Sequence, residues 1–219
     1  VVGPGDNVLL GQFIGKSDGN KSANVHASVS GVVLAVDEHD LASGGAAQTI
    51  LIENDGLNRP APTLRPYREE MPPKPEAILE AVREAGIVGM GGATFPTHVK
   101  LETGDKKVDT LILNGAECEP GIYADNALMC AHADKILAGA LAAMQAVGAK
   151  ALLVGIEECN PEAIRAIRRA HSGAATVTEL PQLSPPRGAK QLVHALPGRE
   201  IPAGGLPADA RVVVLTVGT

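Results

Sequence analysis

Aromatic side chains are scarce in this sequence. Phe and Tyr together make up 2% of its 219 residues, and Trp is absent. The hydrophobic content of 45% must therefore come from Val, Ile, Leu and Ala, which can build an ordinary protein core. Because aromatic residues are so few, an aromatic inside a glycine-rich motif is less easily explained by chance.

Cysteine and positive charge are limited as well. The three cysteines, Cys118, Cys130 and Cys159, lie far apart and form no C-x-x-C pair, so they alone cannot build a zinc site or an iron–sulfur cluster. We therefore predict no metal site, and this cysteine usage fits a reducing compartment best. The net charge of −6 argues against a nucleic-acid-binding surface.

Long hydrophobic runs are missing too. The sequence has no run of about 18 apolar residues, so we expect no membrane span, which still allows a peripheral subunit of a membrane complex. The chain begins at Val1 without a methionine or a signal peptide, and it stops at Thr219 just after an apolar strand. We expect it to be a piece of a longer protein.

The residues that are present predict two domains of different type. Residues 1–57 contain short apolar runs separated by Gly, Asp and Asn, which predicts a small all-β barrel or sandwich. Residues 58–74 contain five prolines and are predicted to form an extended linker. From residue 75 to 219, helical and strand patterns alternate, which predicts an α/β domain with a mainly parallel sheet.

The positions of the elements indicate where a ligand would bind. Strands of the first domain are predicted near 8–10, 26–30, 32–36 and 49–52. In the second domain we predict helices over 75–85, 131–147, from 160 onward and 188–196, and strands over 108–113, 151–156, 176–180 and 212–215. Ligands of parallel sheets bind beyond the carboxyl ends of the strands. The segment 114–121 is predicted to lie at such an end.

The clearest candidate for a binding site is the glycine-rich segment 86–100. Gly89, Gly91 and Gly92 allow positive φ and a close approach of the backbone to a ligand. Successive backbone N–H groups in such a loop bind anions, and a following helix N-terminus adds to the effect. Lys100 comes next, where its ammonium group can reach the same phosphate.

A second segment follows a predicted strand and carries Asn114, Glu117 and Glu119. The alternating positions of Glu117 and Glu119 place both carboxylates on one side of an extended segment, which suits contacts to ribose hydroxyls. Alone, each segment also has a simpler explanation: tight turns, a solvated lysine or a surface pair of acids. Together they predict a nucleotide or flavin site.

These motifs make the chain resemble a known family. The glycine-rich run, the segment 113–120, residues 189–192 and residues 217–219 are similar to the C subunit of the Rnf complex. That complex is the ion-translocating ferredoxin:NAD oxidoreductase of bacterial and some archaeal membranes. More distantly, the motifs resemble the 51 kDa flavoprotein subunit of respiratory complex I. The resemblance covers essentially the whole chain.

The order of the domains sharpens this resemblance. Residues 2–15, followed by residues 25–33, are similar to the barrel-sandwich hybrid domain that precedes the flavin domain in Rnf-type subunits. The resemblance therefore implies a barrel-sandwich hybrid domain over 1–57 and a Rossmann-like flavin-binding domain over 75–219, truncated at its C-terminus. The related cobalamin reductase of propanediol-utilisation microcompartments begins with the flavin domain instead, so the domain order favours the Rnf subunit.

The resemblance implies FMN as cofactor and NADH as substrate. In the complex I relative, the glycine loop and its lysine hold the FMN phosphate and ribityl region, which corresponds here to Gly89, Gly91, Gly92 and Lys100. The aromatic residue after the loop stacks near the nicotinamide, which corresponds to Phe95.

The other motifs imply further contacts. By resemblance, Asn114 and Glu117 contact the flavin, Glu119 contacts NADH, and Thr219 lies near FMN. No side chain is implied to act as an acid or base, so we predict no catalytic residue, since hydride transfer belongs to the cofactor.

Three positions depart from the family pattern. Met90 stands where the complex I relative has an arginine in the glycine loop. The residues 184–187, ending in Arg187, replace a Tyr-Pro-x-Gly motif, so an aromatic lid is missing or replaced. Thr216 replaces an amide side chain that would hydrogen-bond the flavin.

Several other polar residues have structural explanations. Cys118 is expected to be a small buried side chain rather than a redox group, because no second cysteine is near in sequence. His26 is expected to be a packing or turn residue, and His98 to cap the short helix after Pro96. The first domain resembles lipoyl and biotinyl carrier domains, but Lys21 lacks the neighbours of a modified lysine, which favours a docking or scaffold role.

We therefore expect an electron-transfer flavoprotein module that exchanges hydride between NAD(H) and FMN. In full-length relatives, 4Fe-4S clusters lie in a cysteine-rich segment after the flavin domain, which this chain lacks. The expected partners are NAD(H), other Rnf subunits and ferredoxin, and the expected location is peripheral, on the cytoplasmic face of the bacterial inner membrane. Two alternatives stay open: a flavin-free scaffold subunit of the same complex, favoured by Met90, Arg187 and Thr216, and a cobalamin reductase-like flavoprotein.

Overall fold

The computed structural model describes residues 1–19, 21–41, 44–64, 74–90, 94–117, 121–171, 173–181, 192–193, 196 and 212–217. The chain divides into two units: Val1–Pro72 with Arg83–Gly86, and Pro73–Val82 with Ile87–Thr219.

Five strands make up the described part of the first unit. They are β1 (Asn7–Val8), β2 (Phe13–Gly15), β3 (Val25–His26), β4 (Gly31–Asp40) and β5 (Ala46–Asn54). β1, β4 and β5 form one antiparallel sheet in that order, while β2 and β3 pair in a second. The predicted all-β character is confirmed. The short strand β2 was not predicted, since three residues give no readable alternation.

A β-bulge in β4 shapes the core of this unit. Val33 pairs with Ile52 whereas Ala35 pairs with Leu51, so the register shifts at Leu34. The extra residue interrupts the two-residue alternation of inward and outward side chains. Val33 packs in the core with Val8, Ile14 and Ala27, and Leu34 is half exposed. Val36, three residues after Val33, packs against the same core, which an uninterrupted alternation would not allow.

Hydrogen bonds attach the residues after β5 to the same unit. The buried Ser30 hydroxyl donates to Asp55 Oδ1 at 2.7 Å and accepts the Arg59 N–H at 2.9 Å. The Leu10 N–H donates to the Arg59 carbonyl at 2.9 Å, and the Ala61 N–H donates to the Leu10 carbonyl at 2.8 Å. Residues 55–61 are thus fixed on the first unit.

The second unit is an α/β domain with a parallel sheet, as predicted. Its strands are β6 (Thr110–Gly115), β7 (Ala151–Glu157), β8 (Thr176–Leu180) and β9 (Val212–Thr216), in the order β8-β7-β6-β9. Every neighbouring pair is parallel. The helices are α1 (Pro75–Glu84), of which the part up to Val82 belongs to this unit, α2 (Thr97–Leu101), α3 (Ala124–Val147) and α4 (Pro161–Ala170). β6 is buried along nearly its whole length, which explains its continuous apolar run.

Helix α3 starts earlier than the sequence pattern indicates. The predicted start near residue 131 falls beside His132, whose φ of −138° and ψ of 35° interrupt the helical geometry. The segment before it was missed because Tyr123, at the N-cap, makes no side-chain capping bond. Of the predicted helix 188–196, Leu192 and Val193 are helical, and most of the rest lies outside the described residues.

Helix α3 is also an exception to the expectation that no segment could cross a membrane. It is the one helix in the described ranges that is long and apolar enough to do so, a criterion that core helices of soluble proteins also meet. However, α3 connects the neighbouring parallel strands β6 and β7, so it must run back along the face of the sheet. Its buried residues, Met129, Leu137 and Val147 among them, lie in the largest core cluster. One face of α3 therefore packs on the core of this domain.

A distant carboxylate supplies the missing cap of α3. Glu117 Oε1 accepts the backbone N–H of Asp125 at 3.1 Å, and Glu117 Oε2 accepts that of Asn126 at 3.3 Å. These N–H groups belong to the first helical turn and have no partners within the helix. A negative charge at this end also interacts favourably with the helix dipole. Glu117 thereby fixes the entry into α3 from the end of β6.

We predict that Glu117→Ala lowers the free energy of unfolding by about 0.5–2 kcal/mol, the usual effect of losing an N-terminal cap. Urea unfolding followed by circular dichroism measures the change. Glu158→Ala is the matched control, because Glu158 is an exposed glutamate just after β7. Equal free energies of unfolding for the two variants would show that the Glu117 cap does not stabilise the fold.

Asp125 gives the same helix end a pH dependence. Partial burial and, second, the charge of Glu117 raise the pKa of the Asp125 carboxyl above its ordinary value of 3.8. Between 3.8 and the raised pKa the folded state binds more protons than the unfolded state, so the free energy of unfolding falls as pH rises through this interval. Ionised Asp125 therefore lowers stability at neutral pH.

We predict that Asp125→Asn raises the melting temperature at pH 7. The advantage should shrink as the pH is lowered towards 3.8, where Asp125 becomes protonated in both the folded and the unfolded chain. Melting temperatures of the two proteins between pH 4 and pH 8 measure this. If the difference in melting temperature stays constant over this pH range, the raised pKa of Asp125 is contradicted.

Candidate functional site

The carboxyl edge of the parallel sheet brings two of the sequence motifs together. Asn114 in β6 is the register partner of Thr216 in β9, and the Val217 N–H donates to the Asn114 carbonyl at 3.0 Å. Asn114 thus lies within β6, which extends two residues past its predicted end at residue 113. The segments around residues 114 and 217 are therefore neighbours at the edge where ligands of such sheets bind.

The Asn114 side chain shapes the turn that leaves β6. Its Oδ1 accepts the Ala116 N–H at 3.0 Å, an Asx-type turn. The amide oxygen is therefore engaged by the protein, and the Asn114 amide NH₂ is the part of the side chain suited to a ligand acceptor. Contact of Asn114 with a flavin stays a prediction.

Glu117 has a structural partner at this edge. Both of its carboxylate oxygens accept N–H groups of α3, so the geometry gives Glu117 a part in holding the loop between β6 and α3. A carboxylate keeps further acceptor capacity after two such bonds. Direct contact of Glu117 with a flavin is likewise a prediction.

The glycine-rich loop is closed at its base by an antiparallel pair of short segments. The Gly89 N–H donates to the Phe95 carbonyl at 3.0 Å, and the Thr97 N–H donates to the Ile87 carbonyl at 2.9 Å. A bridge between Val88 and Pro96 lies between these bonds. The loop that starts at Gly89 is thereby held on a fixed base.

Among the described residues of this loop, the strained position is Thr94 rather than Gly89. Gly89 is buried but is not among the described residues with positive φ. Thr94, at the far end of the loop, has a φ of 45°, which a β-branched residue rarely adopts. Such backbone strain concentrates at ligand sites. No sequence signal marked Thr94, because a threonine predicts no left-handed turn.

Lys100 and Phe95 are brought together after the loop. Lys100 Nζ lies 5.9 Å from the centre of the Phe95 ring, within the range of a cation–π contact. Lys100 is half-buried, and this burial lowers the pKa of its ammonium group. No carboxylate among the described residues forms an ion pair with it. A partly desolvated cation in this setting favours an anionic ligand.

Two side chains beside Lys100 were not recognised from the sequence as ligand-binding groups. Thr97 and His98 are buried in α2, and neither Thr97 Oγ1 nor His98 Nδ1 has a hydrogen-bond partner among the described residues. The expectation that His98 caps this helix is wrong, because the N-cap is Pro96 and His98 lies inside the helix. Sequence alone gives no burial for a five-residue helix, so these groups could not be singled out.

A buried acid at the carboxyl end of β7 was also missed. Glu157 is 6% exposed, and the Cys159 thiol donates to Glu157 Oε2 at 3.8 Å. Slight desolvation of the exposed Cys159 thiol and, second, the charge of Glu157 raise the pKa of this thiol, so Cys159 stays protonated at neutral pH. The signal that would find Glu157 is an acidic residue ending an apolar strand of a parallel sheet.

Other predicted positions have simple outcomes. His26 packs edge-on against Phe13 with ring centres 5.8 Å apart, which fits the expected packing role. Lys21 is exposed. The following positions, each given a role or an expectation from the sequence, lie outside the described residues: Gly91, Gly92, Cys118, Glu119, Arg187 and Thr219.

The strain at Thr94 leads to a prediction. A left-handed conformation costs a non-glycine residue roughly 1–2 kcal/mol, a cost that glycine avoids. Glycine loses more backbone freedom on folding, which cancels about 0.5–1 kcal/mol of that gain. We expect Thr94→Gly to raise the free energy of unfolding by about 0.5–1 kcal/mol, measured by urea unfolding. Thr103→Gly, at a loop position without positive φ, should lower it instead. A lower free energy of unfolding in Thr94→Gly would contradict the inference that the backbone is strained at Thr94.

Comparison with known families accounts for nearly the whole chain. Residues 1–57 match the RnfC barrel sandwich hybrid domain, and residues 82–219 match the Nuo51 FMN-binding domain. Among solved structures, a crystal structure of the NAD+-reducing [NiFe]-hydrogenase in the H2-reduced state superposes with a TM-score of 0.54 at 26% identity. That match covers 65% of this chain and 29% of the hydrogenase chain.

Curated relatives extend the match to the full length of the chain. It is 47% identical to the C subunit of the Na(+)-translocating ferredoxin:NAD(+) oxidoreductase complex of Acetobacterium woodii, covering 100% of this chain and 50% of that protein. Identity to the C subunit of the proton-translocating complex of Clostridium ljungdahlii is 46%, covering 100% of this chain and 48% of that protein. The chain thus spans about half the length of these relatives.

The two domain matches occur in the order that the resemblance implied, which confirms the α/β flavin-type domain behind a barrel-sandwich hybrid domain. The chain belongs to the family of C subunits of Rnf-type ion-translocating ferredoxin:NAD oxidoreductase complexes, and its second domain to the Nuo51 FMN-binding type.

Proposed function

We propose that this chain is the FMN- and NAD(H)-binding electron-transfer module of an ion-translocating ferredoxin:NAD oxidoreductase. Membership of an FMN-binding domain family supports the cofactor. The names of the relatives, which are subunits of ferredoxin:NAD(+) oxidoreductase complexes, support the reaction. The similarity to an NAD+-reducing hydrogenase supports the nicotinamide substrate.

The observation that carries this proposal is the setting of Lys100. Its ammonium group is half-buried beside Phe95 and has no carboxylate partner among the described residues. Burying a cation without a counter-charge is unfavourable, and an anionic ligand offsets that cost. Lys100 also follows a loop whose base is closed by the Gly89–Phe95 hydrogen bond. These residues fit the phosphate-bearing chain of FMN.

The proposed roles are those that the motif resemblance implies. Gly89, Gly91, Gly92 and Lys100 hold the FMN phosphate and ribityl chain through backbone N–H groups and one positive charge.

Asn114 and Glu117, at the sheet edge, contact the flavin, and so does Thr219. For Asn114 the amide NH₂ is the donor, since its oxygen is bonded to the Ala116 N–H. Phe95 and Glu119 contact NADH, Phe95 through the face of its ring.

The chain's own residues bind and orient, and bound FMN supplies the hydride and single-electron chemistry. In this scheme no side chain of the chain transfers a proton. The half-buried position of Phe95 limits water access next to Lys100, which strengthens the electrostatic contact with a phosphate.

The wider context is part of the proposal. We infer that the barrel-sandwich hybrid domain, residues 1–57, is a docking domain, that residues 58–74 connect it to the flavin domain at 75–219, and that the assembled subunit lies peripherally on the cytoplasmic face of the bacterial inner membrane. Its partners are other Rnf subunits and ferredoxin, and 4Fe-4S clusters belong to the longer proteins of the family. Subunit naming in the relatives supports the assembly.

We predict that Lys100→Met weakens FMN binding by about 1–3 kcal/mol, the loss of a charge-assisted contact. Methionine keeps an apolar stem of similar length over Phe95, so packing is largely preserved. Quenching of flavin fluorescence in a titration measures the affinity. Lys106→Met is the matched control, because Lys106 is exposed in the loop after α2.

The same titration tests the proposed function itself. Saturable quenching by the unchanged chain at micromolar FMN supports a flavoprotein, whereas no quenching at tens of micromolar would favour the flavin-free scaffold. Equal FMN affinity for the unchanged chain and Lys100→Met would remove Lys100 from the site.

A further inference from the structure

Helix α2 contains two buried polar side chains that the protein leaves without partners. Thr97 is 4% exposed and His98 is 6% exposed. Neither Thr97 Oγ1 nor His98 Nδ1 has a hydrogen-bond partner within the described part of the chain. Buried polar side-chain atoms are bonded in the large majority of cases, so two adjacent exceptions call for an explanation.

The helix itself cannot satisfy Thr97. A threonine hydroxyl inside a helix usually bonds to the carbonyl three or four residues earlier. Thr97 is the first residue of α2, and it follows Pro96 in an extended conformation with φ −61° and ψ 124°. Thr94, three residues earlier, is in the left-handed region. The Thr94 carbonyl, one of the usual backbone acceptors, is therefore not in helical position.

Thr97 lies on the same side of α2 as Lys100. Residues three apart in a helix are neighbours on its surface. The Thr97 hydroxyl and the half-buried Lys100 ammonium therefore share one side of the helix that follows the glycine-rich loop. His98 is the next residue, and consecutive side chains diverge by about 100° around a helix. Because they diverge, Thr97 Oγ1 and His98 Nδ1 are suited to hydrogen-bond two different atoms of one extended ligand.

Resting on the function proposed above, we propose that Thr97 and His98 are two further FMN-binding residues. Thr97 Oγ1 donates a hydrogen bond to an oxygen of the ribityl phosphate chain beside Lys100. His98 Nδ1 hydrogen-bonds a second polar atom of the same ligand. Neither residue is among those that the motif resemblance assigns to the cofactor.

The proposal predicts that replacing Thr97 by an apolar residue lowers the affinity for FMN without lowering the stability of the ligand-free chain. In the ligand-free chain, Thr97→Val removes a buried hydroxyl that has no partner and keeps the shape of the side chain. The melting temperature without FMN should therefore stay the same or rise, by up to about 2–4 °C. FMN affinity should fall about tenfold, as expected for a lost hydrogen bond to a polar or charged acceptor. A purely structural threonine would lose stability instead.

The experiment compares Thr97→Val and His98→Leu with the conservative variants Thr97→Ser and His98→Asn. Fluorescence titration with FMN measures affinity, and thermal unfolding without FMN measures the folded state. We expect the conservative variants to recover most of the affinity lost in the apolar ones. If an apolar variant has a markedly lower melting temperature, the FMN affinity of the conservative variant at the same position, which keeps the polar atom, decides the role of that residue.

A parallel titration with riboflavin identifies the acceptor of Thr97. A loss seen with FMN alone assigns it to the phosphate, and an equal loss with riboflavin assigns it to the ribityl hydroxyls; both support the proposal. FMN affinity within twofold of the unchanged chain in Thr97→Val or His98→Leu would exclude that residue.

The outcomes also separate this proposal from the proposed function. If Lys100→Met weakens FMN binding while Thr97→Val and His98→Leu do not, the proposed flavin site is supported and the assignment of Thr97 and His98 to it is contradicted. If the unchanged chain does not bind FMN, both are overturned.

Discussion

The parallel pairing of β6 with strands on both sides is the constraint on which the second domain depends. β6 is hydrogen-bonded to β7 on one edge and to β9 on the other, and its residues are buried almost throughout. Because parallel strands end at the same edge, this pairing places Asn114 beside Thr216, which are 102 residues apart by their numbers. The long α3 crossover then has to run back along the sheet, and Glu117 fixes where it starts.

The two segments of the proposed site use polar groups in different ways. At the sheet edge the polar atoms are engaged by the protein: Asn114 Oδ1 holds a turn and both Glu117 oxygens hold α3. On α2 they are not, since Thr97 Oγ1 and His98 Nδ1 lack partners in the described ranges. The polar atoms at the sheet edge therefore hold the local fold, whereas α2 carries the groups that a ligand would satisfy.

Strong local patterns allowed much of this architecture to be predicted from sequence. Apolar strands such as β6, and Pro161 at the start of α4, are short-range signals that tertiary contacts reinforce. The missed features depend on residues distant in sequence or on burial. The start of α3 depends on a cap eight residues upstream, and the orphaned groups of α2 are visible only once burial is known. Thr94 was missed because its left-handed conformation contradicts its own propensity.

Unfavourable features are concentrated between Thr94 and Lys100. This segment contains a strained β-branched residue, two buried polar atoms without partners in the described structure, and a half-buried cation whose pKa is lowered by burial. Each feature lowers the stability of the ligand-free fold, and natural sequences keep such local conflicts mainly where function requires them. A ligand with hydrogen-bond acceptors and negative charge relieves the conflicts at Thr97, His98 and Lys100 together, so binding such a ligand stabilises the folded domain through linkage. In this segment, the groups that lower the stability of the ligand-free domain are therefore the same groups that favour ligand binding.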